Sequence, residues 1–228
     1  MMRAYHFISD DMRSAEDLIA GRDEPWRIGE TRTYIAVTLN AGDGELITQS
    51  GYQSSPTLWD AMMRADGPVA CAVDIPDPLF TGGDFDHGLF QISTSRKLLA
   101  ASDLSSELRL FACTCAERAL PIFETAHPGN DRPRLALNIA RDYACQRATP
   151  DDLQSALILA RDAADQTSGI ARIAAMAAFG ATFTEAQDAA LSAMRCARWA
   201  IDGKSPTGPE RTWQRESFDL KFAHIFDR

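Results

Sequence analysis

Two thiols one residue apart, in Cys113-Thr114-Cys115, are the pair in this chain that most suggests metal chemistry. On a helix, positions i and i+2 point about 200° apart, so the two sulfurs could not share an ion without distortion. A zinc site would also need a second pair, or histidines at ligand spacing. The four histidines, His6, His87, His127 and His224, are scattered, with no His-Glu-x-x-His or related spacing among them. His127 precedes a proline at the end of a helical pattern and reads as a cap for helix carbonyls. There is no Gly-x-Ser-x-Gly elbow, no phosphate loop ending in Gly-Lys-Ser/Thr and no dinucleotide fingerprint. Gly82-Gly83-Asp84 and Asp43-Gly44 read as hairpin turns. The expectation is no metal and no cofactor, and the common hydrolase and nucleotide-binding classes find no support.

One constellation in the first half suggests ligand chemistry. Tyr5-His6-Phe7 on an early strand, Tyr34 on a second, and Gly51-Tyr52-Gln53-Ser54-Ser55 ahead of a short helix supply imidazole, phenol, amide and hydroxyl groups. The set is loosely similar to ADP-ribosyltransferase-like folds, where an early-strand His or Arg, a Tyr or Ser and a late acid converge on a nicotinamide or ADP-ribose group. That resemblance implies ligand-binding roles for His6, Tyr34, Tyr52, Gln53 and Ser54, with Glu45, Asp74 or Asp84 as the acid. The other reading is aromatic strand residues packing beneath a helix, which is where such side chains most often lie.

The elements that must hold these groups change character at Asp103. Before it, short apolar runs at 5–8, 34–39, 69–75 and 89–92 are broken by Gly, Pro and Asp, as in Ala41-Gly42-Asp43-Gly44 and Thr81-Gly82-Gly83-Asp84. They read as strands of a small, mostly antiparallel sheet. Ser55 as N-cap and Pro56 as first helical residue predict a helix ending near Asp66-Gly67-Pro68. A second short helix is expected from Asp10 or Asp11 to Ile19, stopped at Gly21. After Asp103 the hydrophobic period becomes 3.6. Leu104, Leu108, Phe111, Ala112, Cys115, Ala119, Ile122 and Phe123 trace one apolar face, and Pro121 predicts a kink or break within it. Further helices are expected from Asn130 or Asp131 to about Ala144 or Gln146, and over 151–165 behind a Thr149-Pro150 start. Two more follow, over 167–179 with Gly180 as stop and over 184–201 with Asp202-Gly203 as stop. The last begins near Pro209, although Phe218, Leu220 and Phe222 also alternate as a terminal strand would. The fold class is therefore α+β: an acidic α+β domain over 1–103 and an all-helical domain of about six helices over 104–228.

The 228 residues are 45% hydrophobic and 24% charged, ordinary globular chemistry, and 32 acidic against 23 basic side chains leave a net charge of −9. Its distribution is uneven. Residues 1–103 hold 16 acidic and 8 basic side chains, a balance of −8, whereas 104–228 hold 16 and 15, a balance of −1. An acidic chain is a poor general nucleic-acid binder, since it offers phosphates no basic face. It suits a protein partner with a basic surface. Arg or Asp interrupts every Ala-rich stretch, so no membrane span is expected, and the start turns acidic before a signal-peptide core could form. Both point to the cytoplasm. The five cysteines, Cys71, Cys113, Cys115, Cys145 and Cys196, are odd in number and set in apolar surroundings, as buried thiols without a bridge would be.

A family resemblance is carried by Leu108-Arg109-Leu110-Phe111-Ala112-Cys113, Ala116-Glu117-Arg118-Ala119-Leu120-Pro121-Ile122-Phe123-Glu124, Asp131-Arg132-Pro133-Arg134 and Ile139-Ala140-Arg141, with Glu210-Arg211-Thr212-Trp213-Gln214 opening the last helix. Over roughly 108–225 the chain resembles the immunity proteins of bacterial polymorphic toxin systems, the helical group numbered five. Where that family has an Ala-Gly-His-Ala-like helix, this chain has Ile173-Ala174-Ala175-Met176-Ala177-Ala178-Phe179-Gly180, so no role for those histidines carries over. The first half is similar to uncharacterised bacterial and phage domains with a Trp-x-x-Gly-Glu-Thr-Arg segment (Trp26 to Arg32) and a Gly-Tyr-His-Ala-Ser segment in which Gln53 replaces the histidine. The resemblance implies a non-enzymatic binder. Asp74, Asp77, Asp84 and Asp86 in the acidic half, and Arg109, Glu117, Arg132 and Arg134 in the helical half, are its candidate contacts. For the helical set the alternative is solvated faces and intramolecular pairs.

Overall fold

A computed structural model describes residues 1–34, 51–84, 87–203, 205 and 208–227, with only the backbone of Asp84. Most of the expected strand at 34–39, the turn at 41–44, Glu45 and Asp86 lie outside the described residues. By internal contacts the chain divides into two compact units, one of Met1–Asp103 with Phe222–Arg228, the other of Leu104–Lys221.

The first unit is built from β1 (Met2–Ile8), α1 (Ala15–Ile19), β2 (Thr31–Thr33), β3 (Tyr52–Ser54), α2 (Leu58–Met62), β4 (Val69–Ile75), β5 (Phe80–Asp84), β6 (Gly88–Ser93) and β7 (Ser95–Asp103). They form two antiparallel sheets, in the orders β1-β4-β7-β2 and β3-β6-β5. β4 is central and buried almost throughout, which explains its unbroken apolar run. Ala4, Ile8, Trp26, Tyr52, Val69, Cys71, Val73, Ile75 and Leu98 make the core. Tyr5 stacks on Phe226, from the returning C-terminal segment.

Three local expectations are corrected. The helix expected from Ser55 begins at Leu58, because Ser55 exchanges both backbone hydrogen bonds with Tyr5 and Thr57 takes over as N-cap. α1 begins only at Ala15, where the hydroxyl of Ser14 accepts from the Asp17 N–H. Gly82 and Gly83 are not turn residues but lie inside β5. A Cβ on Gly82 would fall 2.9 Å from the ring of Phe90, and Gly83 has φ 126°, so close approach fixes both glycines.

The second unit is all-helical: α3 (Ser105–Ala126), α4 (Arg132–Ala144), α5 (Pro150–Asp165), α6 (Gly169–Ala181), α7 (Ala186–Asp202) and α8 (Pro209–Phe222). The terminal strand alternative is thereby set aside. α5 starts with a full capping box, Thr149 and Asp152 each bonding the other's backbone N–H. α3 runs unbroken through Pro121. Leu120 and Phe123 beside it are fully buried, and that packing outweighs the roughly 3 kcal/mol a proline costs inside a helix. Gly180 does not stop α6 but lies within it, where a Cβ would come 2.8 Å from Cβ of Ser192 on α7. Ala174, Ala177, Ala178 and Ala181 on α6 and Ala189, Ala190 and Ala193 on α7 are fully buried, so small residues let the helices pack closely. Cys71, Cys113 and Cys115 are buried and Cys196 is half-buried. Cys145, at the end of α4, is exposed, against expectation.

Candidate functional site

The polar chemistry of the first unit gathers where α1 meets the sheet. The short helix turns two adjacent acids inward, and each meets arginine. Asp17, 1% exposed, accepts from Ser14 Oγ at 2.9 Å, Tyr52 OH at 2.6 Å and Arg32 Nη1 at 2.9 Å. Arg32 also donates to both oxygens of Glu30 and to the carbonyls of Glu24 and Pro25. Arg22 donates to Tyr52 OH at 2.9 Å and to the Thr33 carbonyl at 2.7 Å. Glu16 accepts the N–H of Gln53 at 3.1 Å, and Arg96 reaches it at 3.7 Å while donating to the Gln53 carbonyl at 3.0 Å. The indole of Trp26 has the guanidinium groups of Arg32 and Arg96 within 4.4 and 5.1 Å of its ring, and Arg96 also lies 4.6 Å from the ring of Tyr52. Three carboxylates are thus balanced by three arginines, and the buried ones, Asp17 and Glu16 with Arg32 and Arg96, would not be tolerated in the interior as either set alone.

His6 on β1 faces this network, its Nε2 3.6 Å from Glu16 Oε2. Burial, and then the nearby Arg96 charge, bring its pKa down to about 4. Its cross-strand neighbour on β4 is Cys71, whose thiol burial pushes up to about 12. The two therefore stand neutral, the opposite of an activated thiolate–imidazolium pair. Burial also pushes Glu16 upward, but Arg96, backbone N–H groups and, once it takes a proton in acid, His6 outweigh it and hold the carboxyl below its ordinary range. Tyr52 is pushed well up by burial and by its bond to Asp17.

Of the five residues singled out as ligand-binding, Tyr34 and Tyr52 meet ring to ring, while His6 and the backbone of Gln53 both reach Glu16. Tyr34 sets its ring edge-on at 5.7 Å, Gln53 bonds Glu16 and Arg96 through its backbone, and Ser54 follows on β3. His6, Tyr52 and Ser54 are 7%, 0% and 1% exposed, so they face the interior and not an open pocket. Sequence reasoning missed Glu16, Asp17, Arg22 and Arg96. Arg96 had a signal: it alternates in phase with the buried Leu98 on β7, a cation on the inward face of a strand. Alongside runs an open groove of about 600 Å³ lined by Arg22, Glu24, Pro25, Arg27, Glu30, Thr31, Arg32 and Thr33.

Of the acidic candidates, Asp74 on β4 is half-buried and stands opposite Arg3 of β1 and Lys97 of β7, while Asp77 is exposed. In the helical unit Arg109 is corrected as a contact. It is 2% exposed and donates to the carbonyls of Ala181, Phe183 and Thr184, closing the end of α6. Glu117 pairs with Arg141, and Glu124 with Arg134 in two bonds of 2.7 and 2.9 Å, so the motif charges of α3 and α4 tie those helices together. Arg132 bonds Asn130 and, at 2.6 Å, Gln166. The side chain of His127 meets Thr167 Oγ1 at 2.6 Å, and it is the backbone N–H of His127 that caps α3.

The Glu-Arg-x-Trp-Gln segment has an equally concrete task. Glu210, 1% exposed, accepts from Arg118 Nε at 2.7 Å and from the amide of Gln214, which also donates to the Met194 carbonyl. Trp213 lies under the Arg118 guanidinium at 3.9 Å, and Asp202 caps the N–H groups of Glu210 and Arg211. α8 is thereby latched to α3 and α7. Cys113 and Cys115 are inert: burial pushes Cys113 up to about 12 and Cys115 well up. Among the described residues, no three His, Cys, Asp or Glu side chains gather to hold a metal ion.

This unit is a packed helical scaffold whose conspicuous charges serve its own seams. The family model described as Imm-5 like putative immunity protein matches residues 101–219, and the chain belongs to that family. No curated protein and no solved structure matches the chain.

Proposed function

We propose that this chain is a non-enzymatic interaction protein that neutralises a toxin, or inhibits a defence or host enzyme, by binding and occluding it. The family match carries the reading. Charge supports a partner with a basic surface, because the stretch between Arg64 and Arg96 holds five acids, Asp66, Asp74, Asp77, Asp84 and Asp86, and no Lys or Arg. Glu117, Arg132 and Arg134 remain candidate contacts on the helical unit, although each already has an intramolecular partner. No helix among the described residues is long and apolar enough to cross a membrane.

Capture of the partner, followed by kinetics on a chain with Asp74, Asp77, Asp84 and Asp86 reversed to Lys, tests this. The association rate should fall by about tenfold or more at low salt and converge with wild type as salt rises. Unchanged kinetics would remove the electrostatic half of the proposal, and a captured partner that keeps full activity when bound would remove occlusion. A second reading, a nucleotide or ADP-ribose type of ligand held by the first unit, draws on the arginine-lined groove beside Tyr52. Thermal shift with NAD, ADP-ribose and cyclic nucleotides decides it: a ligand at 100 times its dissociation constant adds about 2.7 kcal/mol. No shift with any of them retires that reading.

A further inference from the structure

The β5–β6 hairpin combines three features that most soluble sheets avoid at an edge. β5 is the outer strand of its sheet among the described residues. Large apolar side chains are exposed along it and its partner: Leu79 at 57%, Phe80 at 43% and Leu89 at 49%. They occupy both faces. Phe80 is on the side of Phe90, 5.8 Å away ring to ring, while the register Gly83↔Leu89 and strand alternation place Leu89 and Leu79 on the other. Natural edge strands are blunted by lysine, by charges turned inward or by proline within the strand. Residues 80–83 of β5 include no lysine, no other charge and no proline. Its two glycines carry no side chain over the backbone, and Pro78 stands ahead of the strand.

Every Asp, Glu, Lys or Arg between positions 64 and 96 is an acid, while Arg64 itself stands against the hairpin. Asp77, exposed, precedes Leu79 by two residues, and the nearest cations in sequence are Arg64 and Arg96. Arg96 is buried beneath Trp26 and Tyr52, and Arg64 lies 4.3 Å from the ring of Phe90. An apolar edge inside an acidic stretch is complementary to a strand that alternates cationic and apolar side chains. Main-chain bonds would give such a strand affinity, and the flanking side chains its selectivity.

Resting on the binder reading above, we propose that β5 is the docking edge for the partner, which adds a cationic, extended segment alongside Phe80–Asp84 with Leu79, Phe80 and Leu89 as its apolar anchors. The test uses the full chain and two N-acetylated octapeptides, one alternating Lys and Val, the other Glu and Val. The Lys/Val peptide should slow hydrogen exchange at the amides of residues 79–83, and the Glu/Val peptide should not. Leu79→Ser, at the most exposed anchor, should weaken Lys/Val binding by about tenfold, as truncation of an interface anchor typically does. Leu89→Ser provides a second variant that leaves the Phe80–Phe90 contact intact. No protection at residues 79–83, equal protection by both peptides, or protection that grows with protein concentration alone, as pairing with a second copy would give, overturns the assignment. A captured toxin inhibited equally by wild type and Leu79→Ser overturns the hairpin role and leaves the binder reading standing. A chain that inhibits no toxin but takes the Lys/Val peptide along β5 does the reverse.

Discussion

Replacing His6 with Gln asks whether the network under α1 is built around a neutral imidazole. The ring is buried, with Arg96 close by, and its pKa falls from 6.5 to about 4. The folded unit therefore refuses a proton that the unfolded chain accepts. The stabilising contribution is complete above about pH 6.5 and is lost progressively as pH drops toward about 4, below which both states carry the proton. A gap of about 2.5 pH units, at about 1.4 kcal/mol each, predicts a loss of about 3 kcal/mol across that window. Glu16, held below its ordinary range, adds its own loss only at the acid end of the window. Urea unfolding of the full chain at about pH 7, 6 and 5, followed through the amide resonances of β1 and β4, isolates the first unit. Wild type should lose about 2 kcal/mol between about pH 7 and pH 5, and His6→Gln less than about 1 kcal/mol. The comparison is between pH values within each chain, so the cost of losing the ring itself cancels. Parallel decline of both chains, or a wild type that is flat to about pH 5, would refute the neutral assignment.

Arg109→Leu strips three carbonyls at the end of α6 of their donor and should cost the helical unit about 3 kcal/mol, read as a lowered urea midpoint of its amide resonances. Arg109→Lys should recover only part of this, since one ammonium cannot reproduce the planar fork. Gly180→Val drives a side chain into Ser192 and should cost about 1–3 kcal/mol by the same measurement, while Gly203→Val, where nothing lies within 4 Å of the added Cβ, is strained only by its φ of 65°. Glu210 has the opposite sign to His6: burial raises its pKa despite Arg118, so its contribution is complete below the unfolded carboxyl value and is lost as pH rises through the folded one. Glu210→Gln should therefore flatten the mild-acid pH dependence of α8 unfolding. An unchanged slope would show that Arg118 compensates the burial in full.

The helices were legible because their signals are local. Thr149-Pro150-Asp151-Asp152 announces α5 within four residues, and the 3.6-residue period of α3 is written in its own face. Gly180 misled because a glycine near a helix end has two uses, a stop or a close approach, and only the neighbouring Ser192, twelve positions on, decides between them. The same holds for Gly82 and Gly83, whose partners are the ring of Phe90 and the backbone at Gly88. The interior network was legible in half. Tyr52, His6 and Tyr34 were singled out as residues that act together. The acids and arginines that satisfy them join positions 17 to 32 and 16 to 96, separations at which one sequence carries no pairing signal. Their chemistry also reads differently once placed: Tyr52 OH and the carboxylate of Asp17 spend their hydrogen bonds on each other and on arginine.

That placement also decides which part of the −8 can act outward. Ion pairing in the network around α1 sets Glu16, Asp17 and Glu30 against Arg96, Arg22 and Arg32 in equal number, so it leaves the excess untouched while engaging cations that would otherwise offset it. What remains is one-signed between Arg64 and Arg96, the stretch that also builds β5, the outer strand of its sheet among the described residues. Substitutions at Arg22, Arg32 or Arg96 should therefore unfold the unit before they alter any long-range field, whereas changes at Asp77 alter the field and leave the fold alone. The two kinds of charge, alike in composition, separate into one set that stabilises the domain and another that, under the binder proposal, would steer a basic partner.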